Sequence, residues 1–231
     1  RVKDPELRAK LTPDYKPGCK RIVFANEYYD AIQDPKAYLE TGGIDAVEPG
    51  GIRTKDGTFH ELDVLVLATG YLSDRFMRPI EMVGEEGVTL DDLWHQAPYA
   101  YRSIALPGFP NFFMVAGPNG PFGNLSYIAT AESQVRYFMK VVDKIRAERV
   151  AIAPTVEATE KLGAEMREAF KNTVWTSGCN SWYLNAEGFP ALYPWREARF
   201  HTEMKKAPDY RDFEIKALAD AADTSFPAAA E

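Results

Sequence analysis

Consecutive apolar positions and a turn signal define the strands that the sequence predicts. Residues 63–68 and 112–116 are apolar at almost every position, which is typical of strands buried on both faces of a mostly parallel sheet. A hairpin is predicted where residues 51–54 and 59–62 flank a turn that contains Asp56-Gly57. The pattern therefore favours a protein of the α/β class.

Apolar residues that recur every three or four positions predict two long helices, at residues 126–147 and 156–172. Residues 1–18 predict a short helix followed by a connector. The shorter predictions are a β-type run at Arg21–Ala25, an irregular aromatic segment at 173–200 and a last strand at 209–215.

Composition narrows the function classes. The 231 residues are 45% hydrophobic and 26% charged, with a net charge of −7, so a sizeable core is expected and a nucleic-acid partner is not. No apolar run reaches the roughly 18 residues of a membrane span. Two cysteines, Cys19 and Cys179, are too few for a disulfide scaffold and suit a reducing, cytoplasmic compartment. The charged start at Arg1, without Met, predicts no signal peptide and a piece of a longer protein.

The segment 112–147 combines a buried strand, a glycine-rich loop and a helix. Such loops lie outside the carboxyl ends of strands, where the helix N-terminus favours phosphate or an electron-rich ring. The alternative is that Gly117, Gly120 and Gly123 only shape a turn. Neither the dinucleotide fingerprint GxGxxG nor the phosphate-binding GxxxxGK[ST] loop occurs in the chain.

Four blocks in order resemble the C-terminal part of class B flavoprotein monooxygenases of the Baeyer–Villiger type. They are residues 11–15 with Gly18-Cys19-Lys20-Arg21, residues 63–71 ending in Ala-Thr-Gly-Tyr, residues 108–121, and Gly178-Cys179-Asn180-Ser181-Trp182-Tyr183 with Gly188 and Trp195. The resemblance covers residues 13–215. One departure is Tyr101-Arg102-Ser103, where relatives often have Tyr-x-Gly.

The resemblance implies two nested dinucleotide-binding, Rossmann-like domains, of which this chain holds only the C-terminal halves. Residues 1–17 would end an inserted helical region, and residues 18–70 would complete the NADP-binding domain. Residues 71–219 would complete the FAD-binding domain with its active-site tail, and residues 220–231 would be a disordered tail.

The resemblance also implies a reaction. NADPH reduces FAD, the reduced flavin captures O2 as a C4a-peroxyflavin, and a ketone is converted to an ester or lactone. The cofactors carry this chemistry, and the protein supplies position and charge. Arg21 matches the catalytic arginine of the family, since a fixed cation favours the negative oxygen species. The structural alternative is a surface Lys-Arg pair.

Further site residues follow from the same resemblance. Expected cofactor contacts are Lys20, Thr69, Gly70, Tyr71, Gly117, Pro118, Asn119, Gly120, Asn124 and Trp182. Phe122, Gly123 and Leu125 match positions that line the substrate pocket. Ordinary core packing is the alternative for Phe122 and Leu125, and a buried anchoring aromatic is the alternative for Trp182. No metal-ligand spacing surrounds the three histidines.

Alternatives of other classes remain open. One is an N- or S-oxygenating flavin monooxygenase of the same superfamily, and another is a non-catalytic fragment or binding subunit. Because both dinucleotide fingerprints would precede residue 1, the chain alone is predicted to be inactive. Its expected partners are a ketone or other small organic substrate, O2, and the missing N-terminal half.

Overall fold

The computed structural model describes residues 1–72, 75–121, 126–185 and 187–218, and the predicted tail at 220–231 lies outside this range. The described chain divides into two compact units. The first consists of residues 1–17 and 21–72, and the second consists of residues 18–20 together with the described residues from 75 onward.

Helix α1 and a small antiparallel sheet form the regular part of the first unit. Helix α1 spans Pro5–Leu11, and the Asp4 carboxylate caps it by accepting hydrogen bonds from the amides of Glu6 and Leu7. The remaining elements are α2 (Tyr28–Ala31), β1 (Ile44–Glu48), β2 (Gly51–Thr54) and β3 (Phe59–Glu61). The sheet has the order β1-β2-β3.

The predicted hairpin is confirmed. Strands β2 and β3 pair antiparallel, with Gly51 opposite Glu61 and Arg53 opposite Phe59. Gly57 in the connecting turn has φ of +89°, the left-handed conformation that an Asp-Gly turn requires. Strand β1, which the apolar pattern did not indicate, is held to β2 by backbone pairing and by an ion pair from Arg53 to Glu48 at 2.7 Å.

Three predicted strands are wrong: among the described residues, 21–25, 63–68 and 112–116 pair into no ladder. A strand requires a neighbour to satisfy its backbone groups, and none of the described residues supplies one. In the first unit the apolar side chains of two of these segments are therefore exposed, with Phe24 96% and Val66 78% accessible. The predicted parallel sheet is likewise absent from the described residues, whose two sheets are antiparallel.

The third segment, 112–116, lies in the second unit and is shaped by its flanking residues. Asn111 and Ala116 both have left-handed backbone angles, with φ of +58° and +60°, which end any extended run. Within the segment Met114 donates one backbone hydrogen bond to Ile104, at 2.7 Å, and its side chain is buried. The segment is thus an ordered connection into the glycine-rich loop.

The second unit confirms both long helices. Its elements are α3 (Leu90–Leu93), α4 (Tyr127–Glu148), β4 (Val150–Pro154), α5 (Val156–Phe170), α6 (Glu197–Lys205) and β5 (Phe213–Ala217). Ser126 caps α4 and Thr155 caps α5 through their hydroxyl oxygens. Strand β5, predicted near the end of the chain, pairs antiparallel with β4.

Aromatic side chains from the irregular segment 173–196 complete the core of the second unit. Tyr183 and Tyr193 pack with Tyr137 of α4, Phe170 of α5 and Phe200 of α6. Large rings allow a segment without regular structure to bury enough area to be ordered. No helix in the described part of the chain is both long and apolar enough to cross a membrane.

Candidate functional site

The glycine-rich loop is fixed by two hydrogen bonds to Ser103. The Gly117 amide donates to the Ser103 carbonyl at 3.1 Å, and the Ser103 hydroxyl donates to the Gly117 carbonyl at 2.5 Å. A Cβ atom at residue 117 would lie 2.7 Å from the Ser103 carbonyl oxygen, so only glycine fits there. Gly117 therefore allows the backbones of residues 103 and 117 to pack closely against each other.

The loop continues through Pro118, Asn119 and Gly120. Pro118 and Gly120 are buried, and the Asn119 amide donates to the Ala191 carbonyl at 3.3 Å. Asn119 has φ of +62°, a conformation that asparagine tolerates better than most residues. The predicted cofactor-facing loop is thus bound to the aromatic segment on one side and to Ser103 on the other.

In the sequence, six residues separate Gly120 from the start of α4. Phe122, Gly123, Asn124 and Leu125, which were predicted to face substrate and flavin, lie outside the described residues. The helix itself starts with Ser126, whose hydroxyl accepts from the Ala129 amide at 3.4 Å. One turn further, the Thr130 hydroxyl is buried without a hydrogen-bond partner among the described residues.

Lys20 and Trp182 belong to the second unit, where a disulfide ties their two segments. Cys19 is fully buried and bonded to Cys179, with 6.5 Å between the Cα atoms. Lys20 follows one of these cysteines, and Trp182 lies three residues after the other. The Trp182 ring is 56% exposed and rests on Tyr183, with 4.3 Å between centroids, so it is not the fully buried anchor of the structural alternative.

The disulfide is the main feature of the site that sequence reasoning missed. By their number alone the two cysteines suit a reducing compartment, whereas the structure pairs them across 160 residues. A signal was available, because each cysteine stands within a motif block that also carries a predicted site residue. Spacing in the sequence gave no indication that these blocks meet.

Arg21, Thr69, Gly70 and Tyr71 belong to the first unit. All four are exposed, and Tyr71 is completely accessible. Gly70 has φ of +85°, and apart from its chain neighbours no atom of the described residues lies within 4 Å of the position that a Cβ atom would occupy. Glycine is therefore favoured here by the backbone conformation and not by close packing. Within this unit the structure does not bring Arg21 to a partner that would show its role.

A partly buried polar cluster beside the loop was also missed. The Tyr101 hydroxyl donates to Asp212 at 2.6 Å and accepts from Arg102 Nε at 3.0 Å, while Arg102 lies 3.6 Å from Glu203. Burial raises the pKa of Tyr101 well above that of a free phenol, and the positive Arg102 opposes this shift. The cluster anchors the turn that carries Ser103.

A cleft of about 810 Å³ in the second unit is not centred on the predicted site. Its walls come from residues 95–100, from α5 and from Asn185, Glu187, Phe189 and Pro190. Among the predicted cofactor contacts that the structure describes, it shares Asn119 alone. The cleft therefore belongs mainly to α5 and the aromatic segment rather than to the glycine-rich loop.

The described residues contain no group of three or more His, Cys, Asp or Glu that could hold a metal ion.

Comparison with known proteins shows which class of protein this chain resembles. No family model matches the chain. The chain is similar, with a TM-score of 0.82, 33% identity and 94% of its length covered, to the crystal structure of cyclohexanone monooxygenase from Rhodococcus sp. Phi1 bound to NADP+. It matches steroid monooxygenase bound to NADP with the same TM-score and 29% identity. The fold is thus that of the flavoprotein monooxygenases. The matched part makes up 42% of the first solved chain and 43% of the second.

Sequence relatives narrow the class. The chain is 44% identical over all 231 residues to an uncharacterised monooxygenase of Mycobacterium tuberculosis, and it spans 46% of that protein. It is 36% identical over 218 residues to a Baeyer–Villiger monooxygenase of Streptomyces coelicolor, spanning 42% of it. The predicted resemblance to Baeyer–Villiger monooxygenases is confirmed, and the chain spans less than half the length of these relatives.

Proposed function

We propose that this chain is part of an FAD- and NADPH-dependent monooxygenase that inserts one oxygen atom from O2 beside a ketone carbonyl, forming an ester or lactone. The observation that carries the proposal is the similarity to cyclohexanone monooxygenase over 94% of the chain. Relatives named FAD-binding monooxygenases, such as one from Emericella nidulans at 33% identity, support the choice of flavin.

The N-terminal end of α4 suits a flavin chemically. The loop Gly117–Gly120 leads to the start of a 22-residue helix, where the partial positive charge favours an electron-rich ring edge. The Thr130 hydroxyl in the first turn of this helix is buried and has no hydrogen-bond partner among the residues that the structure describes, whereas buried hydroxyls normally have one. Bound FAD would pass two electrons from NADPH to O2, so that one oxygen atom of O2 enters the substrate and the other leaves as water.

The residues of this chain then bind, orient and stabilise charge. The guanidinium of Arg21 favours the negative charge that develops on oxygen at the reacting centre. Lys20 binds a phosphate or ribose of NADPH, and the exposed face of Trp182 contacts the same cofactor. Thr69, Gly70 and Tyr71 border the cofactors. Outside the described residues, we propose a flavin contact for Asn124 and a role in substrate binding for Phe122, Gly123 and Leu125.

The chain does not provide both dinucleotide sites by itself. Neither glycine fingerprint occurs in its sequence, and apolar segments of the first unit are exposed. We infer that residues outside this chain supply the fingerprints and cover those segments. Residues 1–231 purified alone are expected to carry no flavin absorbance, and stoichiometric FAD on them would contradict this inference.

The decisive experiment uses the protein expressed from the complete gene. We expect it to purify with bound flavin and to oxidise NADPH faster when cyclic or open-chain ketones are added. Mass spectrometry of the product should show an ester or lactone with one atom of ¹⁸O from ¹⁸O2. N-oxides or S-oxides formed in place of esters would assign the chain to the heteroatom-oxygenating branch instead.

Arg21 provides the sharpest test of mechanism. Arg21→Ala should lower ester formation about 10²–10³-fold, the usual cost of losing one stabilising donor at a developing negative charge. Reduction of the flavin by NADPH should continue, since that step does not need this charge. Arg8→Ala, which removes an exposed arginine from α1, is the control. Equal ester formation by the Arg21→Ala and Arg8→Ala variants would remove Arg21 from the reaction.

A further inference from the structure

Gln134 is a completely buried amide on α4. Its Oε1 accepts a hydrogen bond from the Ala116 amide at 2.8 Å, and its Nε2 donates to the Ser103 carbonyl at 3.4 Å. A backbone amide can only donate and a carbonyl can only accept, so these two partners fix the orientation of the side chain. Both ends of Gln134 therefore bind the backbone that precedes and supports the glycine-rich loop.

The two residues that Gln134 contacts share an unusual conformation. Ala116 has φ of +60° and Ser103 has φ of +64°, in the left-handed region that is unfavourable for residues with a Cβ atom. Such a conformation persists only where surrounding contacts hold it. Gln134 binds both residues, and the hydrogen bonds between Ser103 and Gly117 link them to each other.

The backbone conformation of Ala116 sets the direction in which the following loop runs. Gly117–Gly120 follow immediately, and residues 121–126 separate them in the sequence from the helix that carries Gln134. A single buried side chain thus ties the helix to the entry of the loop that precedes it. This arrangement is a means of holding the loop in one shape before any ligand arrives.

We propose that Gln134 is a positioning residue, which holds the turn at Ala116 so that the loop Gly117–Gly120 is preorganised for the flavin. This rests on the proposed function. Gln134 itself does not touch the cofactor; it acts through the Ala116 amide and the Ser103 carbonyl. Loss of its amide leaves the Ala116 N–H unpaired and releases a conformation that alanine does not favour.

The test uses the protein from the complete gene and measures FAD affinity by titration of the apoprotein. Gln134→Met keeps the side-chain length but removes both hydrogen bonds, and we expect FAD affinity to fall about tenfold or more. Gln134→Asn, which withdraws the amide from Ala116, should show the same loss if Gln134→Met does not fold. Thr159→Val is the control, because Thr159 is a buried polar residue whose hydroxyl donates to the Thr155 carbonyl, next to α5 and away from the glycine-rich loop.

A rescue variant separates positioning from a merely structural role. Glycine adopts the conformation of residue 116 without strain, so Ala116→Gly in the Gln134→Met background should recover part of the lost FAD affinity. A role of Gln134 in packing α4 alone predicts no recovery from a change at residue 116. The reduction potential of the bound flavin should move with Gln134→Met and return with Ala116→Gly.

The outcomes distinguish this inference from the proposed function. A wild-type protein that binds no flavin would overturn both. Bound flavin in the wild type, with wild-type FAD affinity in Gln134→Met, would overturn only the role of Gln134. The same conclusion would follow if Thr159→Val weakened FAD binding as much as Gln134→Met, or if Ala116→Gly restored nothing.

Discussion

Ser103 is a serine held in a backbone conformation that favours glycine, with φ of +64°. Its hydroxyl donates to the Gly117 carbonyl at 2.5 Å, which offsets the cost of that conformation. Serine at this position thus has a hydrogen bond in place of the conformational freedom that glycine would have there.

Two substitutions at this residue separate these effects. Ser103→Ala loses the hydrogen bond and keeps the strained backbone, so it should destabilise the second unit by about 1–2 kcal/mol. Ser103→Gly also loses the bond but relieves about 1 kcal/mol of strain, so its loss should be smaller. Urea unfolding of the two variants measures the difference. A glycine variant less stable than the alanine variant would show that strain is not significant here.

Three buried tyrosines should make the free energy of unfolding depend on pH in the alkaline range. Burial raises the pKa values of Tyr101, Tyr137 and Tyr193 above that of an exposed tyrosine. A folded-state pKa above the unfolded value, near 10, stabilises the folded protein below that pH, and this contribution is lost as pH rises toward the folded pKa. The free energy of unfolding should therefore fall above about pH 10.

Tyr101→Phe should flatten that decline. Each tyrosine that ionises only on unfolding contributes about 1.4 kcal/mol per pH unit to the slope. The variant should be less stable than the wild type at pH 8, because Asp212 and Arg102 lose their shared hydroxyl. Chemical unfolding between pH 8 and 11 measures both effects. An unchanged slope would mean that Tyr101 ionises as readily in the folded state.

At the scale of elements, the sequence predicts best what is locally determined. Helices α4 and α5 follow from apolar periodicity and from the capping residues Ser126 and Thr155, and the hairpin follows from its Asp-Gly turn. Residues 63–68 carry an equally clear apolar pattern, but a strand also requires a neighbouring strand, and no described residue pairs with them.

In the candidate site, sequence motifs identified the glycine-rich loop. The buried residues that support it, Ser103 and Gln134, were not found, because they make long-range contacts that sequence spacing does not reveal.

The disulfide should stabilise the second unit substantially. It closes a loop of 160 residues, and long loops lose the most chain entropy on cross-linking. Cys179→Ala should lower the free energy of unfolding by about 2–4 kcal/mol. Cys19→Ala should have a similar effect, and the double variant should add little to either. Denaturation with and without a reducing agent checks this, since the variants should be insensitive to it. A fully additive double variant would argue against the bond.

At the scale of the whole molecule, the exposed apolar segments of the first unit should bind apolar dyes. Val64 and Val66 are 74% and 78% accessible, next to Leu67 at 75%. Residues 1–231 alone should enhance the fluorescence of anilinonaphthalene sulfonate, and Val64→Thr with Val66→Thr should reduce the signal. Val135→Thr, at a less exposed valine of α4, is the control. Absence of dye binding would show that these segments are covered within the chain.

The tripeptide Gly18-Cys19-Lys20 belongs to the second unit although the chain on both sides of it belongs to the first. The two units are therefore not separable by a single cut of the polypeptide. A clone that begins after residue 72 would remove Cys19 and leave Cys179 as an unpaired thiol, prone to cross-linking between molecules. Chimeras that exchange the second unit between relatives would meet the same difficulty. The exchanged sequence must include this tripeptide for the second unit to remain intact.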